Sequence, residues 1–340
     1  MSFLVRQTLL FAIPLMTVAL AGVFAERSGI INLALEGTMI FGVFTGVVFC
    51  RMLQGAGLFE AARAANNWQA LQGYLILTLL FVALSGAVFG LLLAVAAINF
   101  SANQTIVGTA MNMLAPALVL FLVRVIAHQN VLPLMNGGSA TFFMIRKENL
   151  GIESEGFFVE TFINKVYLTT YFCILIFIIL SIILYKTKFG LRLRACGENP
   201  QAAASLGINV YRMRYAGTLI SGALAGIGGF VYSVTTANTS ATGEVAGMGF
   251  LALAVMIFGN WKPLNIALAS LLFGLFKCIG AGYTVIDING DGIYKLAELG
   301  ISAHFYRLMP YLITLIVLML TSKNSRAPKA EGQPYDQSMR

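Results

Sequence analysis

Residues 74–99 read YLILTLLFVALSGAVFGLLLAVAAIN. The run carries no charged side chain and is longer than the roughly 20 apolar residues that a helix needs to cross a bilayer core. The pattern recurs on both sides of it. Further candidate spans lie at 7–24, 30–50, 105–126, 165–185, 213–236, 247–260, 263–283 and 307–322. The composition agrees, with 58% of the 340 residues hydrophobic and only 11% charged. A soluble domain carries roughly 25% charged residues, so this chain has too few charges to cover a water-facing surface, and lipid must solvate much of it. The expected fold is an all-α membrane bundle of about eight or nine crossing helices, some broken or re-entrant. It occupies residues 1–322, and a disordered tail is expected over 323–340, where Pro328, Gly332 and Pro334 interrupt any apolar period.

The net charge of +8 is unevenly placed. Lys186, Lys188, Arg192, Arg194, Arg212 and Arg214 crowd one connection, and Lys323, Arg326, Lys329 and Arg340 lie in the tail. Basic connections face the cytoplasm, which puts loops 127–164 and 284–306 on the opposite side. A nucleic-acid-binding role is excluded, because the basic cluster sits between two membrane spans. Nine crossings place the N-terminus outside; eight, with 30–50 or 247–260 only dipping into the membrane, place it inside, and Arg6 favours the inside. The first apolar stretch, Leu9 to Phe24, lacks a preceding basic cluster and a small-residue cleavage site, so it reads as a retained helix. Cys50, Cys173, Cys196 and Cys278 show no disulfide or metal spacing.

Several features point to working parts. Glycines fill SGALAGIGG at 221–229, a face that lets membrane helices approach closely. Asn32, Glu36, Asn112, Asn238 and Glu244 are polar groups in or beside apolar spans, where such residues are costly and often line solute pathways. Asn32 and Glu36 stand one turn apart on one face. Phe41, Phe44, Phe250 and Phe258 offer ring faces to a ring-bearing solute, although packing and lipid contact are commoner roles for phenylalanine. In the 284–306 loop, Asp287-Ile288-Asn289-Gly290-Asp291-Gly292-Ile293-Tyr294-Lys295-Leu296-Ala297-Glu298 fits the calcium-loop pattern. Asp287, Asn289, Asp291, the Ile293 carbonyl and Glu298 would ligate a structural Ca²⁺.

The connection over 186–212 is the most informative. Asn199 is a good N-cap, Pro200 suits the first helical position, Gln201 to Ala204 propagate a helix, and Gly207 can end it in the left-handed conformation. So short a helix is not stable alone. It either docks into another protein or packs as a structured loop on the bundle. No GxxxxGK[ST] phosphate loop occurs in the chain. Only two histidines are present, with no metalloprotease or triad grouping, so an enzyme is not indicated.

Three stretches carry a resemblance. Glu26 to Gly37, ERSGIINLALEG, and Val255 to Leu264, VMIFGNWKPL, are similar to the simple-sugar and nucleoside branch of the branched-chain amino acid/ribose permease superfamily of ABC importers. Glu198-Asn199-Pro200-Gln201-Ala202-Ala203, with Gly207 beyond it, resembles the coupling loop of such permeases. Gln201 stands where the family often has an acidic residue. The resemblance implies a transport subunit in the cytoplasmic membrane of a bacterium. It also implies a second related permease, cytoplasmic ATPase subunits that grip the coupling helix, and an extracytoplasmic binding protein. Nucleosides are the first expectation for its cargo, then riboflavin or a simple sugar. A stand-alone secondary transporter is the remaining alternative, and it would need no docking helix.

Overall fold

A computed structural model describes residues 2–65, 67–134, 143–152, 156–236, 240–284, 295–298, 300–321 and 326–336. The chain is helical almost throughout. Its helices are α1 (Ser2–Glu26), α2 (Leu35–Gly55), α3 (Leu58–Ala64), α4 (Trp68–Ile98), α5 (Gln104–Ala127), α6 (Phe157–Phe162), α7 (Leu168–Lys186), α8 (Lys188–Glu198), α9 (Pro200–Ser205), α10 (Val210–Thr235), α11 (Met248–Phe258), α12 (Pro263–Gly282), α13 (Lys295–Glu298) and α14 (Ala303–Thr321). Two short strands, β1 (Leu132–Pro133) and β2 (Ser240–Ala241), pair antiparallel.

Seven of these helices (α1, α2, α4, α5, α7, α10 and α12) are long and apolar enough to span a membrane. α11 and α14 add two further apolar helices, with shorter apolar runs at Met248–Phe258 and Leu308–Val317, among the described residues. α10 is the hub and packs against α1, α2 and α4. The glycine face expected at 221–229 is what allows this. A side chain on Gly222 would collide with the carbonyl of Gly86 in α4, and one on Gly229 with the backbone of Met39 in α2. Close backbone approach replaces the hydrophobic driving force that lipid removes. The long runs of α4, α5 and α7 turn large apolar side chains such as Leu84, Phe121 and Ile179 outward, toward the lipid position.

Side chains at the helix ends fix the direction of each pass. Glu26, closing α1, lies beside Trp261 and Arg27 reaches Glu198 of α8, so α1 ends on the α8–α9 side. Its other end is opposite, where Arg6 donates to the Glu160 carbonyl at 3.3 Å. Tyr215 donates to Asn99 at 2.8 Å, placing the end of α4 with the start of α10. Lys186, Lys188, Arg192, Arg194 and Arg212 all stand on this side, and the charge bias makes it cytoplasmic. The N-terminal end of α1 lies on the opposite side, the arrangement expected with nine crossings.

Two passes are interrupted. Residues 27–34 run as turns and extended chain before α2 begins at Leu35, so the second span starts five residues later than its apolar pattern suggests. α11 has only 11 residues, about 16 Å at 1.5 Å per residue, or half a bilayer core. The chain descends to it from β2 through Gly243 and Gly247, both with positive φ.

The tail is a correction. Residues 326–336 pack on the cytoplasmic side rather than lying loose, with Pro328, Ala330 and Tyr335 buried.

Candidate functional site: a broken-helix junction and a cytoplasmic knob

The two interrupted helices meet at Glu36. Its carboxylate accepts from the backbone N–H of Gly247 at 3.0 Å and of Gly249 at 2.6 Å, capping the start of α11 from the first turn of α2. A helix N-terminus carries unsatisfied N–H donors and a partial positive charge, so a buried anion there is matched. Around it, Asn112 uses both ends of its amide. Its Oδ1 accepts from Gly37 at 2.8 Å and its Nδ2 donates to the Leu33 carbonyl at 2.7 Å. Asn32 donates to Ser221 at 2.8 Å and accepts from Ala34 at 3.0 Å. Gln104 takes the Ile31 N–H at 2.7 Å. These side chains replace the backbone bonds that a continuous helix would have made, as irregular chain at membrane depth requires. Three of the five polar residues singled out in the sequence are thus brought together. Glu244 is exposed in the segment leading down to α11, and Asn238 lies outside the described residues.

Beside the junction, toward the extracytoplasmic side, lies a cavity of about 850 Å³ between α1, α10, α12 and α14. Phe11, Tyr232, Thr236, Lys277, Tyr283 and Tyr311 line it, and Ala246 forms part of its wall. Ala246 holds a positive φ of 52°. Its carbonyl accepts from Lys277 Nζ at 3.0 Å and from the Tyr311 hydroxyl at 3.1 Å. The network therefore runs from Glu36 through the 246–249 turn to the cavity. The aromatic faces here are tyrosines. Of the phenylalanines named from the sequence, Phe41 stacks on Phe89 at 4.7 Å, Phe258 packs on Phe273 at 6.1 Å, Phe44 is buried and Phe250 is exposed. The sequence reading missed Lys277 and the tyrosines. A lysine near the end of an apolar run is readable as one that snorkels to the interface.

On the cytoplasmic side, α8 and α9 form the knob. Asn199 Oδ1 caps α9 by accepting from the Ala202 N–H at 3.0 Å, Pro200 opens the helix, and Gly207 adopts φ +79° just beyond its end. Pro200, Ala203 and Ala204 face inward, while Gln201, Ala202, Ser205 and Leu206 face out, Leu206 being 81% exposed. Glu198 is paired with Arg27 at 3.4 Å. The cytoplasmic connection is longer than a single short helix, because α8 adds three turns before it.

Of the calcium pattern, Asp287, Asn289, Asp291 and Ile293 lie outside the described residues. Glu298, in α13, is exposed.

Residues 4–318 match the family described as branched-chain amino acid transport system / permease component. The chain is 39% identical to the nucleoside ABC transporter permease protein NupC of Lactococcus lactis, over 99% of this chain and 98% of that one. It is also 39% identical to the guanosine ABC transporter permease protein NupQ of Bacillus subtilis, over 98% and 97% of the two chains. The guanosine permease NupP of the same bacterium is more distant, at 26% identity over 82% of this chain and 74% of its own. No solved structure matches. On the match over residues 4–318 and the bundle with seven membrane-length apolar helices together, this chain is a multi-pass membrane protein belonging to the permease-component family of branched-chain amino acid transport systems.

Proposed function

We propose that this chain is one membrane half of an ATP-driven importer for nucleosides. The observation that carries the importer reading is the capped α9 knob. It is exposed on one face, sits on the basic side of the bundle, and joins by a short path to a membrane break. A stand-alone transporter has no use for such a surface. The outer face of α9, with Gln201, Ala202, Ser205 and Leu206, fits a cleft on a nucleotide-hydrolysing subunit. Glu198 and Asn199 hold the helix in position, and Gly207 lets the chain turn away from it. The two relatives named for nucleosides and guanosine, each matched over nearly its whole length, support the cargo.

A passing nucleoside would meet the tyrosine-lined cavity first. Lys277 has three N–H donors, two of which already hold Ala246 and Tyr311, and its charge suits the ring nitrogens and carbonyls of a base. Asn32, Glu36 and Asn112 shape the inner end of this path by holding its backbone, and Glu244 stands at its outer approach. A second permease completes the path, and an extracytoplasmic binding protein feeds it. The sequence pattern from Asp287 to Glu298 supports a structural calcium in the outer loop. That site is tested by whether millimolar calcium raises the melting temperature of the wild type but not of Glu298→Gln.

The importer reading is tested by reconstitution with its ATPase, second permease and binding protein. ATP-dependent uptake of labelled guanosine is expected, competed by other nucleosides and not by ribose or riboflavin. Deletion of 201–205 is expected to abolish ATPase retention on the tagged permease. Uptake without ATP, or wild-type uptake by the deletion, would overturn the reading.

A further inference from the structure

The C-terminal segment makes contacts that the importer reading does not use. Arg326 N–H donates to Asn260 Oδ1 at 3.1 Å, in the corner that ends α11. Four residues on, Ala330 N–H donates to the Gly197 carbonyl at 2.9 Å, in the last turn of α8. Gly332 N–H then donates to the Gly29 carbonyl at 3.2 Å, in the segment that leads into α2. Gly332 has φ +75°, and a side chain there would press on Ile31. Tyr335 closes the series. It is buried among Cys196, Ala203, Ala204 and Val210, meets the Tyr211 ring edge-on at 5.3 Å, and accepts through its carbonyl from the Tyr211 hydroxyl at 3.4 Å. Its ring also stands 6.0 Å from the buried Arg214 guanidinium.

One strand of chain thus touches both faces of the problem. Along its length it alternates between the two: Arg326 holds the Asn260 corner, Ala330 the end of α8, Gly332 the 27–34 segment and Tyr335 the inner side of α9. Besides the tail, the end of α8 meets this region through the Arg27–Glu198 pair, with Glu198 half exposed, a kind of pair that is weak, and through Gly197, which packs on the backbone of Glu26 and Arg27. We infer that residues 326–336 are a tie that makes the coupling knob and the broken-helix junction move together, so that motion of the ATPase reaches α2 and α11. The inference rests on the importer reading. Tyr335 is a positioning residue in it, acting through α9.

The test uses the complete importer in proteoliposomes, with the permease either truncated after Ser325 or carrying Gly332→Val, which keeps the chain whole but pushes it off Ile31. Three quantities are read: ATPase subunits retained, ATP hydrolysed, and guanosine moved per ATP. Both variants are expected to retain and run the ATPase while guanosine moved per ATP falls about tenfold. Tyr335→Phe is expected to keep the wild-type ratio. Maleimide labelling reports the tail directly. Cys196 is buried, and burial pushes its thiol up to about 11, so it is expected to be inert at pH 7 and to react once the tail is displaced. A wild-type transport ratio in either variant with Cys196 reactive would overturn the tie. So would loss of ATPase retention in both, which would make the segment a docking surface instead. Uptake by the unmodified importer in the absence of ATP would sink the importer reading itself, whatever the tail does.

Discussion

Glu36 illustrates how a costly residue is made tolerable. A carboxylate inside an apolar bundle must be matched, and here two N–H groups at the start of α11 match it. Hydrogen bonds to a charged group are worth about 1.5–3 kcal/mol each, and orphaned buried donors cost about 1–3 kcal/mol. Glu36→Ala is therefore expected to cost about 2–4 kcal/mol, read as a lower melting temperature in detergent, and Glu36→Gln about half of that because it keeps one acceptor. Uptake should fall in the same order. If Glu36→Ala melts with the wild type, the junction does not depend on this carboxylate. Lys277 presents the opposite charge to the same turn from the cavity side. Lys277→Met is expected to leave ATPase retention unchanged and to lower guanosine uptake at saturating loaded binding protein at least fivefold. Unchanged uptake would remove Lys277 from the path. Glu36 was legible in the sequence because a lone acid in an apolar run has few innocent explanations. Lys277 was not, since its value comes from Ala246 and Tyr311, which are distant in sequence and meet it only in the fold.

The elements differ in how locally they are written. α9 was readable in full, because cap, first-turn proline and terminal glycine are neighbours and their geometry follows from their own chemistry. The same local logic gives a prediction. Gly207 sits in open space at φ +79°, so a substitution there meets no neighbour and pays only in backbone strain. Gly207→Ala is expected to cost about 1 kcal/mol, seen as weaker ATPase retention, whereas Gly207→Asn, which tolerates this conformation, should retain the ATPase almost as well as wild type. Equal losses in both would show that the position needs space and not the left-handed turn. α2 and α11 were less legible. Hydropathy marks 30–50 and 247–260 as spans, but the break before α2 depends on Asn112 and Gln104 of α5 taking up backbone groups of 31–37 and on Ser221 of α10 holding the Asn32 side chain across the bundle.

The tail was misread for a related reason. Its prolines, glycine and charges match the composition of disordered chain, and what orders it is a surface assembled from Gly29, Gly197, Asn260 and α9, none of which lies near it in sequence. Burial alternates along it, with Pro328 and Ala330 facing in while Ala327 and Lys329 face out, and turns follow over 329–332, a stretch too short to register as a period. Its docking also carries a charge problem. Burial pushes the Glu331 carboxyl up to about 7, against the opposing pull of Arg27, and the Glu26 carboxylate lies within electrostatic reach. The docked value is above the ordinary 4.5, so the docked tail favours the protonated acid. At pH below about 4.5 both free and docked forms are protonated and docking is unpenalised. As pH rises from there through 7, the free form ionises first, and docking weakens until the penalty is complete above 7. Tryptic cleavage after Arg326 and Lys329 should therefore quicken from pH 6 to pH 8 by more than the protease's own pH response. Glu331→Gln, which cannot ionise, supplies that baseline in the same bundle. The ratio of wild-type to Glu331→Gln cleavage should rise severalfold across this window, and a flat ratio would show that the tail is held without regard to the charge on Glu331.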